Sequence, residues 1–359
     1  MGLTADPAAV ARTTLGRVAL LLGWVPLAAL VPVALFVPEI PPTYRYLPLV
    51  ASALLFGMPH GAVDYVALPR ARAGRVSVRG IGVVSALYLL FGGAYLGLWF
   101  LAPVPAAGLF ILLTWFHWGQ GDLYALRDMF GVDHVGDRLQ QSLTVLVRGG
   151  LPMLVPLLGF PGRYREVLGT FVEPFGANAR AWLIFEPTAR LALGAVFAAV
   201  TLFALARGHR HATAADGGTD ARRRWHLDVA ETGLLWAYFL LVPPVLAVGV
   251  YFCLWHSVRH IARVVLLDGA SVESLAGGHF LPATGKFALE AAVPTALALG
   301  LIGGLWAVAP GSVETLAGAT GLYLVGIAVL TLPHTVVVVW MDREQGIWTV
   351  TGDQPRIAK

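Results

Sequence analysis

The sequence predicts an all-α protein: a polytopic transmembrane helical bundle of about ten spans, with both termini in the cytoplasm. Three observations predict it. Of 359 residues, 57% are hydrophobic and 13% charged, with a mean hydropathy of +0.71; soluble domains carry about 25% charged residues. Apolar runs of roughly the 20 residues that a crossing helix needs recur along the chain. The positive residues are almost all arginine and cluster between those runs, as in cytoplasmic membrane loops. The formal charge of +4 and pI of 9.4 therefore do not point to nucleic acid. The whole chain, 1–359, reads as a single integral-membrane domain. Cys253 is the single cysteine, so no intramolecular disulfide forms.

The elements follow in order. The run 17–37 is too long for a signal-peptide core and lacks a small-residue cleavage site, so it reads as a retained helix. Span two, 46–68, is followed by Arg70, Arg72, Arg75 and Arg79. Span three, 80–102, ends in LAPVPA, which has no positive residue. Spans 106–127 and 140–160 lead to an outer loop, 161–186, where Arg163, Arg165 and Arg180 are balanced by Glu166, Glu173 and Glu186. Span six, 187–206, precedes a polar stretch that reads as a flexible cytoplasmic loop over 207–227, with Arg207, Arg210, Arg222, Arg223 and Arg224. Pro243 and Pro244 divide the next apolar block into 228–242 and 245–266. Spans 286–309 and 317–340 complete the set. Ten spans place both arginine clusters on one side, and with them both termini.

The histidines carry the functional signal. His134, His209, His211, His226 and His279 lie in or beside predicted loops and read as solvated. His60, His117, His256, His260 and His334 fall inside spans two, four, eight and ten, all of which run from outside to inside. At 1.5 Å rise per residue, these five lie roughly 16–26 Å below the outer surface, in one band about 10 Å deep. His256 and His260, in WHSVRH, are four apart and share a helix face. An i,i+4 histidine pair can offer two imidazoles to one metal. Intramembrane ionisable residues usually face the bundle interior and mark function.

His60, His117, His256 and His260 are thus candidate metal ligands. Neutral imidazoles suit Fe, Cu, Zn or Ni. Four of them leave open positions on a six-coordinate ferrous ion, whereas they would close a tetrahedral zinc site. Asp64 lies four residues past His60 on the same face. It is placed either to orient a ligand imidazole or to pair with an arginine such as Arg148. Asp122 follows His117 by five, near Gly119 and Gly121, which permit close helix contact. His334 is a ligand, an outer donor or a substrate contact. Cys253 reads as a small packing residue. Phe56, Tyr65, Trp115, Phe116, Trp118, Tyr124, Tyr251, Phe252, Trp255 and Trp340 either pack the bundle or line a slot for an elongated unsaturated ligand.

At these residues the chain resembles a known family. FGMPHGAVDY, WFHWGQGDLYAL, YFCLWHSVRHIARV and TLPHTVVVVWMD are similar to the four signature segments of the Brp/Blh family of integral-membrane β-carotene 15,15′-dioxygenases. The resemblance extends over spans two to ten. It implies ferrous iron, Fe(2+), dioxygen, and cleavage of β-carotene at its central double bond into two all-trans-retinal. It also implies iron ligation by His60, His117, His256 and His260, none of which is substituted, and chromophore supply to a microbial rhodopsin.

Other classes remain to be weighed. A membrane desaturase or hydroxylase would carry several clustered histidine boxes, whereas one pair is present. A haem-binding oxidoreductase could use paired intramembrane histidines. A lipid or ion transporter could use them as proton relays without a metal. A rhodopsin needs a mid-membrane lysine, and the lysines here are Lys286, at a span edge, and Lys359.

Overall fold

The structure is a computed structural model that describes residues 6–37, 39–178, 183–214, 218–309 and 315–350. Arg180, Lys359 and residues 215–217 of the expected polar loop lie outside them. Helix starts follow local chemistry. Helix α1, Pro7–Phe36, opens on Asp6, whose side chain accepts from the Ala8 amide, with Pro7 in the first turn. The second segment, α2, covers Pro42–Ala73. Ser77 caps α3, Val78–Leu101. Pro103 opens α4, Pro103–Tyr124. Asp137 caps α5, Arg138–Gly159, by accepting from the Leu139 and Gln140 amides. Next come α6, Pro187–Ala214, and α7, Gly218–Leu241. Pro244 opens α8, Pro244–Val265, so the proline pair does separate two helices. Finally come α9, Phe280–Val308, and α10, Leu316–Glu344, capped by Thr315.

Among the described residues, eight of these helices are long and apolar enough to cross a membrane. The two that fall short are α4 and α7. Both are helical and of spanning length, but α4 carries His117, Gln120 and Asp122, and α7 carries three arginines, Asp228 and Glu231. The centre of the bundle is α8: 78% of its most apolar stretch is buried, against 17% for α1, α3, α6 and α9, whose apolar faces point outward.

Three local features differ from expectation. The stretch 207–227 is helical wherever it is described. Helix α6 runs on to Ala214 and α7 begins at Gly218. The alanines and arginines there favour helix, Arg207 pairs with Asp137 at 2.8 Å, and Trp225 donates to the Leu205 carbonyl at 3.0 Å. The outer stretch 161–186 is not plain loop, since Pro161–Val172 is a helix packed against α10. Span two is not one continuous helix. It is interrupted at 53–56 and again at Val63, giving helices Pro42–Ser52, Gly57–Ala62 and Asp64–Ala73.

Close helix packing positions the site. A Cβ on Gly119 would lie 2.1 Å from the Val145 carbonyl oxygen, and one on Gly149 would lie 1.8 Å from that of Trp115. Helices α4 and α5 therefore touch backbone to backbone, as small residues permit in membranes.

Candidate metal centre

His60 owes its place to the interruption in α2. A Cβ on Gly57 would lie 2.6 Å from both Ser52 and Phe252, so the chain presses against α8 there. The Gly57 carbonyl turns back to accept from His60 Nδ1, and the Ser257 hydroxyl lies 3.3 Å from the same nitrogen. His60 Nε2 is left facing inward.

Helix α8 supplies two imidazoles. Over Tyr251–His256 it opens into wide π-helical turns, then resumes regular geometry from Ser257. Such turns cluster at functional sites. His256 and His260 then lie on one face, as their spacing predicts. His117 comes from α4 and His334 from α10.

All five histidines are buried and converge. The His60 ring centroid lies 5.2 Å from that of His256, 5.3 Å from His260, 5.0 Å from His334 and 6.4 Å from His117. His117 lies 4.8 Å from His256 and 4.6 Å from His334. The Nε2 atoms of His117 and His256 are 3.1 Å apart. Asp64 is beside them. Its Oδ2 accepts from His334 Nδ1 at 2.8 Å and from the Tyr88 hydroxyl at 2.7 Å. With Nδ1 donating, His334 Nε2 keeps its lone pair and faces the other rings.

These donors fit a metal. Nε2 of His60, His260 and His334 is buried without a protein partner, a costly state for a polar atom that coordination relieves. The 3.1 Å between two nitrogens is what bonds of about 2.0–2.1 Å to one ion produce at roughly a right angle. Two overlapping groups could hold an ion: His60, His117 and His334, and Asp64, His260 and His334.

A charged layer flanks the histidines. Arg259, between His256 and His260, donates to Asp122 at 2.9 Å and to Glu231 at 2.5 Å. Arg148 reaches Asp228 at 2.7 Å, Glu231 at 3.0 Å and Asp122 at 3.5 Å. Trp255 donates to Asp122 at 3.0 Å. Asp122 thus ties the His117 helix to the helix of His256 and His260. Arg148 is occupied here rather than with Asp64. His134, read from sequence as a solvated loop residue, is buried, with Nε2 2.9 Å from Asp228. Its short turn, Asp133–Val135, packs beneath α6 and α7, and burial goes with that carboxylate partner.

One cavity of about 860 Å³ meets the centre. His60, His117 and His334 line it, and so does Asp64; His256 and His260 stand behind. On α10 its wall runs from Ala317 to His334, seventeen positions or about 26 Å of helix. Of the aromatic residues singled out from sequence, Tyr65, Trp118 and Phe252 line this space. Trp255 and Tyr251 instead pack the core. Sequence reasoning did not single out Tyr88, Phe110 and Phe171, which also line it. A lone aromatic in an apolar run carries no spacing signal.

Comparison with known proteins bears on the chemistry. Residues 51–342 match the sequence model of a family described as β-carotene 15,15′-dioxygenase. Blh of Halobacterium salinarum, described as a probable β-carotene 15,15′-dioxygenase, is 54% identical over 337 residues, covering 94% of this chain and 96% of that protein. Brp of the same species, described in the same terms, is 33% identical over 318 residues, covering 84% and 86%. No solved structure is similar to this chain.

Proposed function

The chain belongs to the β-carotene 15,15′-dioxygenase family, and from that premise we propose that its histidine centre holds ferrous iron for cleavage of the central double bond of β-carotene into two all-trans-retinal. One observation carries this reading: five buried imidazoles converge, and three of them line one long cavity. His60, His117, His256 and His260 are the iron ligands, and His334, held by Asp64, faces the substrate beside them. Asp122 acts from outside the ligand set, through Arg259 and Trp255. When bound, ferrous iron supplies the activation of dioxygen.

The remaining work falls to side chains. The cavity walls hold the polyene so that its central bond lies against His60, His117 and His334, which is catalysis largely by positioning. The same walls exclude water from reactive species. Asp64 and Tyr88 fix the tautomer and angle of His334. A hydrocarbon substrate dissolves in the bilayer, so a site at membrane depth meets it where it already partitions.

The chain sits in the cell membrane with ten crossing helices, α4 and α7 included, and both termini in the cytoplasm. Retinal released there is available to a retinal-binding rhodopsin. The test is expression in bacteria that accumulate β-carotene, with a His256→Ala control and chromatography of the pigments. Loss of β-carotene with retinal appearing in wild type alone is the expected outcome. Intact pigment in membranes holding iron-loaded wild-type protein would overturn the reading.

A further inference from the structure

The lining of the cavity includes exposed residues of two chemically different kinds. At its outer end the cavity is lined by Arg45, Arg163 and Glu166, and Arg163 and Glu166 form an exposed ion pair at 2.9 Å. Nearer the histidines, its lining includes residues of α3 and α9 that face outward from the bundle. Leu89 on α3 is 79% exposed and Leu297 on α9 is 71% exposed, and both line the cavity. Ser85, exposed on α3, and Ala298 on α9 line it with them. Helix α10 packs against both helices, and its Leu330 and Thr331 line the space between them, one turn before His334.

We infer that this gap between α3 and α9 is a lateral window through which an apolar polyene passes from the bilayer to the histidine centre. The inference rests on the proposed carotenoid-cleaving function. Its walls are those a hydrocarbon in lipid would meet, whereas the outer mouth is rimmed by charge. A molecule with no polar group would have to leave the bilayer to use that mouth, at a cost of about 0.8 kcal/mol per exposed CH₂. On the cytoplasmic side of the window α9 is tied to α2. Tyr65 donates to the Glu290 carbonyl at 3.1 Å, and Arg70 makes two bonds to the Glu290 carboxylate at 2.8 and 2.7 Å. The approach left is sideways. One end of the substrate then slides along α10 toward Ala317 until the central bond reaches His334.

The test uses full-length, iron-loaded protein in lipid vesicles that contain β-carotene. Ser85→Trp and Ala298→Trp fill the window from opposite walls. Arg163→Trp covers the outer mouth, and Val196→Trp places the same bulk on a lipid-facing residue of α6 away from the cavity. Iron content reports whether the centre is intact, and anaerobic uptake of β-carotene from vesicles reports access independently of turnover. Each window variant is expected to slow uptake and lower kcat/KM at least tenfold with iron content unchanged, with Arg163→Trp slowing uptake less than either and Val196→Trp within twofold of wild type. Wild-type uptake in both window variants would overturn the window, as would a block by Arg163→Trp alone. If wild-type protein neither takes up nor cleaves β-carotene in these vesicles, the functional reading itself fails.

Discussion

Asp64 and His334 stand 270 positions apart in the chain and share a hydrogen bond of 2.8 Å. The carboxylate also holds Tyr88 through the same oxygen. Three helices, α2, α3 and α10, thereby fix one imidazole. His334 packs edge-on against two of the proposed ligands, His60 and His117, so loosening it loosens the ligand set. Asp64→Asn is expected to weaken iron binding by less than the roughly tenfold that loss of a ligand's own partner brings, and Tyr88→Phe by less again, since His334 keeps its carboxylate. Titration of the metal-stripped protein with ferrous ion measures both. An Asp64→Asn isotherm that overlays wild type would make the pair purely structural.

The Arg259 guanidinium sits between two histidines and answers to two carboxylates from other helices. Removing one partner of a buried ion pair costs about 3–5 kcal/mol. Arg259→Met is expected to lose stability on that scale and to loosen iron binding as well, because His256 and His260 share its helix. Arg259→Lys keeps the charge but not the forked geometry, so it should fall between. Thermal unfolding in detergent, with and without iron, reads both effects. Identical melting of Arg259→Met and wild type would detach this residue from the centre.

Asp268 lies outside the spans, at the start of the short helix Gly269–Ala276. Burial works against its charge, but Lys286 at 2.7 Å, the Ser271 hydroxyl and amide, and Arg70 hold its carboxyl down at about 2. A carboxylate with a lowered folded-state pKa contributes stability above its ordinary value near 4, and loses it as pH falls toward 2. Wild type is therefore expected to lose stability between about pH 4 and 2 more steeply than Asp268→Asn. Unfolding midpoints across that range provide the check, and parallel curves would exclude the linkage.

Much of this arrangement was legible in the sequence, for identifiable reasons. The five buried histidines stood out because an imidazole in an apolar run is rare, and because counting from each span start placed them at one depth. Pro243 and Pro244 marked a boundary that the fold respects. What escaped notice depends on contacts distant in sequence. Tyr88 is one aromatic among many until α3 brings it to Asp64. His134 looks like a loop residue because Asp228, its partner, lies 94 positions away. The interruption at 53–56 leaves little trace beyond Gly57, and the polar stretch 207–227 resembles a linker because its helix-forming residues are also hydrophilic.

Helix α7 brings Asp228 and Glu231 into the layer of charge, and its neutralising arginines are on α5 and α8. A charged residue at mid-membrane disfavours insertion by about 2.5–3.5 kcal/mol, so in the ten-span arrangement α7 is a poor candidate to enter lipid alone. In that arrangement its residence in the bilayer would be a collective property. Arg148 has already emerged from the ribosome when α7 is made, but Arg259 follows only with α8. Biogenesis would then be contingent on order, with α7 held back until the helix carrying two of the histidines arrives. The centre and its scaffold would then be committed to the membrane in a single event.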